Sequence, residues 1–326
     1  MALAVVAAAG CQSGQLYQSA FESAALVPHI TSLMVVQDGN IMREAFYAGT
    51  SAATPHDLHS LTKTVTALVG GIASTSCLVS LDQPIGTVLD NAALGDAGKA
   101  AITVRQLLSM TSGFQWDEAA DAPAWAAADD QVDFVLARPI TGTPGKTFDY
   151  DSGAYHLVSA VIDHGCARTS TFAMQRLFSP LGIATPTWAI DKQGIANGAT
   201  GLQLSTTDLA AIGQLILDRG EHQLITGGVQ VVAADFIDRM TRAVSATSDP
   251  AARASQYGLG LWVATPAFSK PYLLGEGEGG QFLFLVPDAN AVVIATTDVD
   301  GVDAAEAART DDALYSVIVN QLLPTL

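Results

Sequence analysis

The sequence predicts an α+β fold, with an antiparallel sheet built from both chain ends, helices flanking it, and a mainly helical region in the middle. Three observations predict it. Apolar, β-branched runs of strand length occur near residues 31–47 and then only after residue 256. The stretch between them is dominated by apolar residues at three-and-four spacing, the period of a helix with one buried face. No repeat, low-complexity segment or linker divides the chain, and with 49% hydrophobic and 14% charged residues in 326 it can bury a sizeable core.

In chain order, residues 1–15, MALAVVAAAGCQSGQ, carry a run of small apolar residues ending at Ala8-Ala9-Gly10-Cys11. That is the character of a secretory or lipoprotein leader, which implies export to the periplasm or a lipid anchor at Cys11, although no basic residue precedes Arg43. Residues 16–326 read as one domain, its sheet part spanning roughly 25–60 and 250–326 and its helical part roughly 61–249. Thr31–Gln37 and Ile41–Tyr47 flank Asp38-Gly39-Asn40 as a strand, tight turn and strand. A helix follows from Leu61, with Val65, Leu68, Val69 and Ile72 on its apolar side and Asp57 and Ser60 at its start. Loops are expected at 111–115, 139–151 and 185–201. Strands return at Tyr257–Ala264, Tyr272–Leu274, Gln281–Val286 and Ala291–Thr297, before a final helix from Asp303 to Leu322.

The net charge of −17 argues against binding nucleic acid or anionic membranes, both of which attract basic patches, and disfavours polyanionic substrates. No apolar run approaches the roughly 18 residues of a membrane span. With no H-E-x-x-H, C-x-x-C or G-x-S-x-G in the chain, neither a metal site nor a nucleophile elbow is indicated, and no cofactor is called for. Gly275-x-Gly277-x-x-Gly280 matches the dinucleotide fingerprint in letters only, because a strand and not a helix follows it.

Positive signals come from two helix starts. In HSLTKTVTALVGGIA (59–73), Ser60 and Lys63 are three apart, a spacing that puts them on one helix face with Cβ atoms about 5–6 Å apart. Burial among apolar neighbours favours the neutral amine of lysine. A neutral amine beside a hydroxyl is a base beside a nucleophile, whereas the bland alternative is a surface lysine lying along its helix. His59 points about 100° away from Ser60 around the helix, so it is expected to be structural. In TPGKTFDYDSGAYHLVSAVI (143–162), Tyr150 and Ser152 open a second apolar helix, where they can join a proton relay or merely pack and cap. If both helices start at the site and run side by side, Cys77 and Cys166 each lie about 24–26 Å along them, and a disulfide between the two becomes possible. Two separate buried thiols are the alternative.

Ser60-x-x-Lys63 followed by Tyr150-x-Ser152 resembles the serine β-lactamase/penicillin-binding-protein superfamily, in its class C-like branch of family VIII-type carboxylesterases and 6-aminohexanoate-oligomer hydrolases. LDQPIGTVL (81–89), TVRQLLSMTSGFQWDE (103–118), LFSPLGI (177–183), GLQLSTTDLAAIGQLIL (201–217) and GGQFLFLVP (279–287) extend the resemblance over nearly the whole chain. It implies a β-lactamase/transpeptidase-like catalytic domain and a serine hydrolase acting on small esters or amides through an acyl-enzyme. Ser60 would be the nucleophile, Lys63 and Tyr150 the proton carriers and Ser152 their support, with the backbone N–H groups of Ser60 and Gln281 as the oxyanion hole. The third motif, Lys-Thr-Gly or His-x-Gly in the family, is replaced by Glu278-Gly279-Gly280, which with Trp116 is expected to line the substrate cleft. Glu276 and Glu278 would repel a substrate carboxylate, which disfavours β-lactams and D-Ala-D-Ala peptides and leaves neutral or cationic substrates. The alternatives are a β-lactamase or DD-peptidase, and a non-catalytic binding protein of the same fold. Asp117, Trp188 and Asp191, on predicted loops, are expected to pack or form turns.

Overall fold

The Asp38–Gly39 turn, with both residues at positive φ (51° and 72°), closes a two-residue hairpin between Gln37 and Asn40. Its strands are β1 (Ile30–Gln37) and β2 (Asn40–Phe46), preceded by α1 (Gln18–Ala24). The structure is a computed structural model that describes residues 17–326, except 78, 90–91, 225–226, 248–251 and 267–269. The expected leader and Cys11 lie outside the described residues. After the hairpin, β3 (Pro55–Asp57) leads through a 3-10 turn (His59–Leu61) into α2 (Thr62–Ser76). The helical region continues through α3 (Val104–Leu108), α4 (Glu118–Ala126), α5 (Gln131–Leu136) and α6 (Ser152–Gly165). Then come β4 (Thr187–Trp188), β5 (Leu202–Ser205), α7 (Thr206–Leu217), the ribbon β6 (Glu221–Leu224) and β7 (Gly227–Gln230), and α8 (Ala234–Met240). The chain ends with β8 (Ser245–Ala246), β9 (Gln256–Tyr257), β10 (Trp262–Ala264), β11 (Tyr272–Gly277), β12 (Gln281–Val286), β13 (Ala291–Thr297) and α9 (Ala304–Val317).

The two ends of the chain meet in one eight-stranded antiparallel sheet of order β2-β1-β13-β12-β11-β10-β9-β8. β1 pairs directly with β13, Leu33 opposite Ala295 and Val35 opposite Val293. β12 and β13 are buried at every residue, so their apolar runs do not alternate, as expected where helices cover both faces. Side-chain alternation along β12 shows which helix covers which face. Leu283 and Leu285 point at α7, where a Cβ on Gly213 would lie 2.5 Å from Val292 Cγ1, so only glycine admits the close approach. Phe282 and Phe284 point the other way and meet Tyr315 of α9.

Three expectations are revised. Tyr257–Ala264 is not one strand: Gly258–Leu261 folds back with Gly260 at φ 84°, separating β9 from β10. Gly260 packs where a Cβ would sit 2.7 Å from Ala67 Cβ, and its carbonyl accepts from Thr64 Oγ1 at 2.7 Å, so the turn is docked on α2. β11 runs three residues further than expected, to Gly277, because its glycines still pair with β12. β3 also pairs with two short strands of the helical region in a small sheet of order β3-β5-β4, whose strands are too short to show a period of two.

α2 is buried at every residue from Thr62 to Ala73. It lies beside α6, with Gly70 facing Val158 and Leu108 at ordinary contact distance. Cys77 and Cys166, at the far ends of these two helices, are joined in a disulfide with a Cα–Cα distance of 5.5 Å.

Candidate active site

Ser60 sits at the centre of the 3-10 turn between β3 and α2. His59, at φ 45°, bends the chain there, and its N–H donates to Asp57 Oδ1 at 2.8 Å. Leu58 N–H donates to Leu202 O of β5 at 2.9 Å, which anchors the turn to the small sheet. Lys63, one helical turn on, is 2% exposed. Its Nζ lies 2.9 Å from Ser60 Oγ and 3.4 Å from Ala199 O. The spacing seen in the sequence therefore produces contact between the two side chains.

Tyr150 comes from the loop ahead of α6. Its ring stacks parallel on Trp262, 6.0 Å between centroids, and Lys63 Nζ lies over the ring, 4.8 Å from its centroid. Lys63 thus meets the π face of Tyr150; the phenolic hydroxyl is hydrogen-bonded to neither Lys63 nor Ser60. Ser152 is the first residue of α6, but the cap is Asp151, which accepts from Ala154 N–H at 2.9 Å. The Ser152 hydroxyl is turned to Glu118 Oε1, and its N–H donates to Glu118 Oε2 at 3.1 Å. Trp116 Nε1–H donates to the same Oε2 at 2.6 Å.

The opposite wall is the end of β11. A Cβ on Gly277 would lie 2.1 Å from Leu58 O, so the strand is pressed against the turn that carries Ser60. Between these walls opens a cleft of about 370 Å3, lined by Ser60, Tyr150, the Glu276–Gly279 segment, Arg253, and Asp311 and Asp312 of α9. Glu278 and Gly279 are in it as expected. Gly280 faces Leu314 and Thr297 instead, and Trp116 lines a separate hollow on the far side of Tyr150. Gln281 opens β12 opposite Gly277 and is 1% exposed, and its side chain turns from the cleft, donating through Nε2 to Thr297 Oγ1 at 2.8 Å.

The charges in this wall were only half legible. Glu276 does not stand alone, since Arg253 Nε lies 3.3 Å from its carboxylate. Arg253 also pairs with Asp311 and, at 3.0 Å, with Asp312, and its guanidinium stacks 4.0 Å from the Tyr315 ring centroid. Burial pushes the Glu276 carboxyl up to about 7; Arg253 pulls it down and Asp311 pushes it up again. Burial likewise raises Asp311. Arg253 lies in no matching stretch, and Glu118, although it ends the 103–118 stretch, carries no sign there of its bonds to Ser152; both act across long sequence separations. Of the other residues noted in the sequence, Asp191 is buried against His156 Nε2 at 3.0 Å, and Trp188 Nε1–H is bonded to Asn197 O. Asp117 caps α4, and His59 lines a hollow distinct from the Ser60 cleft. Among the described residues, no group of three or more His, Cys, Asp or Glu is placed to hold a metal ion, and no helix is long and apolar enough to cross a membrane.

A family profile described as Beta-lactamase matches residues 28–316. The chain belongs to the Beta-lactamase family. Among solved structures, a Bacillus anthracis protein provisionally named 6-aminohexanoate-dimer hydrolase superposes with a TM-score of 0.73 at 18% identity, covering 93% of this chain and 80% of that one. EstCE1, a hydrolase with promiscuous acyltransferase activity, gives 0.70 at 16% identity, over 94% and 99% of the two chains. A penicillin-binding protein homologue from Caulobacter crescentus gives 0.68 at 16%, over 94% and 97%. At these identities the likeness establishes the shared β-lactamase-type fold and leaves substrate to the site itself. No curated protein matches the sequence.

Proposed function

We propose that this Beta-lactamase family member is a serine hydrolase that cleaves small carboxylic esters or amides through an acyl-enzyme on Ser60. The observation that carries the reading is the 2.9 Å contact between Ser60 Oγ, whose residue lines the cleft, and the buried Lys63 Nζ. At that separation a neutral amine accepts the hydroxyl proton as oxygen attacks a carbonyl. The backbone N–H of Ser60 serves as one oxyanion donor, with Gln281 or the cleft-lining Glu278 supplying the second. Tyr150 hands the proton to the leaving alcohol or amine, its hydroxyl swinging from the stacked position towards Lys63. Water then enters, loses a proton to the same pair, and releases the acid.

The cleft favours neutral or cationic substrates over carboxylates. Four carboxyl groups, Glu276, Glu278, Asp311 and Asp312, face a single cation, Arg253, which is already engaged by three of them. A β-lactam or D-Ala-D-Ala carboxylate therefore finds no free partner there. The Cys77–Cys166 disulfide fits an exported enzyme, since oxidising compartments are where such bonds persist.

Hydrolysis of p-nitrophenyl butyrate and of the chromogenic cephalosporin nitrocefin by wild type and Ser60→Ala tests the reading. Ester turnover that vanishes in the variant, with little nitrocefin cleavage, is expected. Rapid nitrocefin cleavage would return the protein to the β-lactamases, and no Ser60-dependent turnover of either ester or amide substrates would favour a binding protein of this fold.

A further inference from the structure

Glu118 gathers three donors from two segments on one carboxylate. Trp116 Nε1–H and Ser152 N–H reach Oε2 at 2.6 and 3.1 Å, and the Ser152 hydroxyl reaches Oε1. Hydrogen bonds to an ionised acceptor are about twice as strong as neutral ones, so this is a firm anchor. The anchor does not serve α4 itself, whose start is already capped by the Asp117 carboxylate accepting from Ala120 N–H at 3.1 Å. It reaches instead to the start of α6, two residues from Tyr150.

The other side of the same loop is held independently. Asp149 N–H donates to Met110 O at 2.9 Å, and Asp151 accepts from Ser112 Oγ at 3.4 Å. Tyr150 is therefore pinned through both flanks, while its ring stacks on Trp262 and has Lys63 Nζ 4.8 Å from its centroid. Trp116 extends the anchor into an aromatic layer, with edge contacts to Trp125 and Phe134 at 6.3 and 6.4 Å. The Ser152 hydroxyl proton is spent on Glu118, which leaves it none to pass along a relay.

We infer that Glu118 is a positioning residue for Tyr150, holding it against Lys63 through Ser152 and Trp116, and that Ser152 is a tether and not a proton carrier. The inference rests on the hydrolase reading above. Misplacement of a reacting group by about 1 Å costs on the order of 100-fold, so loosening this anchor should lower kcat by about 10- to 100-fold while KM changes less than about twofold.

The test is a double-mutant cycle on p-nitrophenyl butyrate with Glu118→Ala, Ser152→Ala and the pair, plus Glu118→Gln. Expected are similar kcat losses in both single variants, a double variant no worse than Glu118→Ala alone, and partial rescue by glutamine, which keeps one acceptor oxygen. If Glu118→Ala does not fold, the cycle is run with Glu118→Gln. Losses that multiply in the double variant, or a Ser152→Ala loss far exceeding that of Glu118→Ala, would make Ser152 a proton carrier and overturn the inference. A folded Glu118→Ala with kcat within threefold of wild type overturns it while leaving the hydrolase reading in place. Absence of Ser60-dependent turnover in wild type overturns both.

Discussion

Replacing Gly277 by alanine tests the placement of the cleft's far wall. The new Cβ would stand 2.1 Å from Leu58 O and 3.1 Å from both Gln281 Cβ and the Leu58 carbonyl carbon. Ordinary carbon–oxygen contact begins near 3.4 Å, so β11 and the turn carrying Ser60 must separate by roughly 1 Å, and the yielding atom is backbone, which cannot rotate aside. A shift of that size between nucleophile and oxyanion donors is expected to cost about 100-fold in kcat/KM, equivalent to about 2.7 kcal/mol. Overpacking should also lower stability by about 1–3 kcal/mol. The assay is p-nitrophenyl butyrate hydrolysis beside a thermal melt, with Gly70→Ala as the control. At Gly70 the added methyl meets only Val158 Cγ1 at 3.6 Å and Leu108 Cδ1 at 3.7 Å, so that variant should keep its activity. If Gly277→Ala retained activity within threefold and melted with wild type, β11 would not be the wall against which Ser60 works, and the reasoning about the cleft would fail.

Lys63→Met, which keeps volume and removes the base, should lose at least about 100-fold in kcat/KM with its melting temperature retained; activity above a few per cent of wild type would remove Lys63 from the mechanism. Asp151 is fully buried, and burial raises its carboxyl to about 7, with its bond from Ala154 N–H opposing and Glu118 pushing up. It binds its proton more tightly folded than unfolded, so its contribution to stability is full below the ordinary carboxylate range near pH 4 and is lost as pH rises through about 7. Asp151→Asn, which still caps α6, should flatten that window in melts recorded from pH 4 to 8; an unchanged slope would mean another group sets it. Reducing Cys77–Cys166, or replacing both by serine, should cost about 2–4 kcal/mol, read as a lower denaturation midpoint in the reduced sample.

Legibility followed length and periodicity. β1, β12 and β13 were visible as apolar runs, and α2 and α6 as amphipathic segments long enough to show their period. β3, β4 and β5 were not, being two to four residues each and dependent on one another for pairing. In the site, Ser60 and Lys63 were readable because one helical turn joins them. Arg253 was not, since its partners Glu276 and Asp311 come from a strand and a helix that only the folded sheet brings together. Ser152 shows the intermediate case: its place at a helix start was evident, but the direction of its hydroxyl depends on Glu118, which arrives from another loop. Gln281 was readable as the start of β12, but its side-chain bond to Thr297 was not, because a glycine-rich turn hides register.

The pairing of β1 with β13 has a bearing on how the molecule is made. During synthesis β1 emerges early, yet Leu33 and Val35 must wait for Ala295 and Val293 before their edge is covered. Such distant pairing slows folding, and an open apolar edge invites association with other chains. Ser60, Lys63 and Tyr150 are likewise translated well before Arg253 and β11 supply the opposite wall. The nascent chain thus carries Ser60 and Lys63 with no opposing wall, and the cleft is completed only with the final strands, in the same event that shields β1.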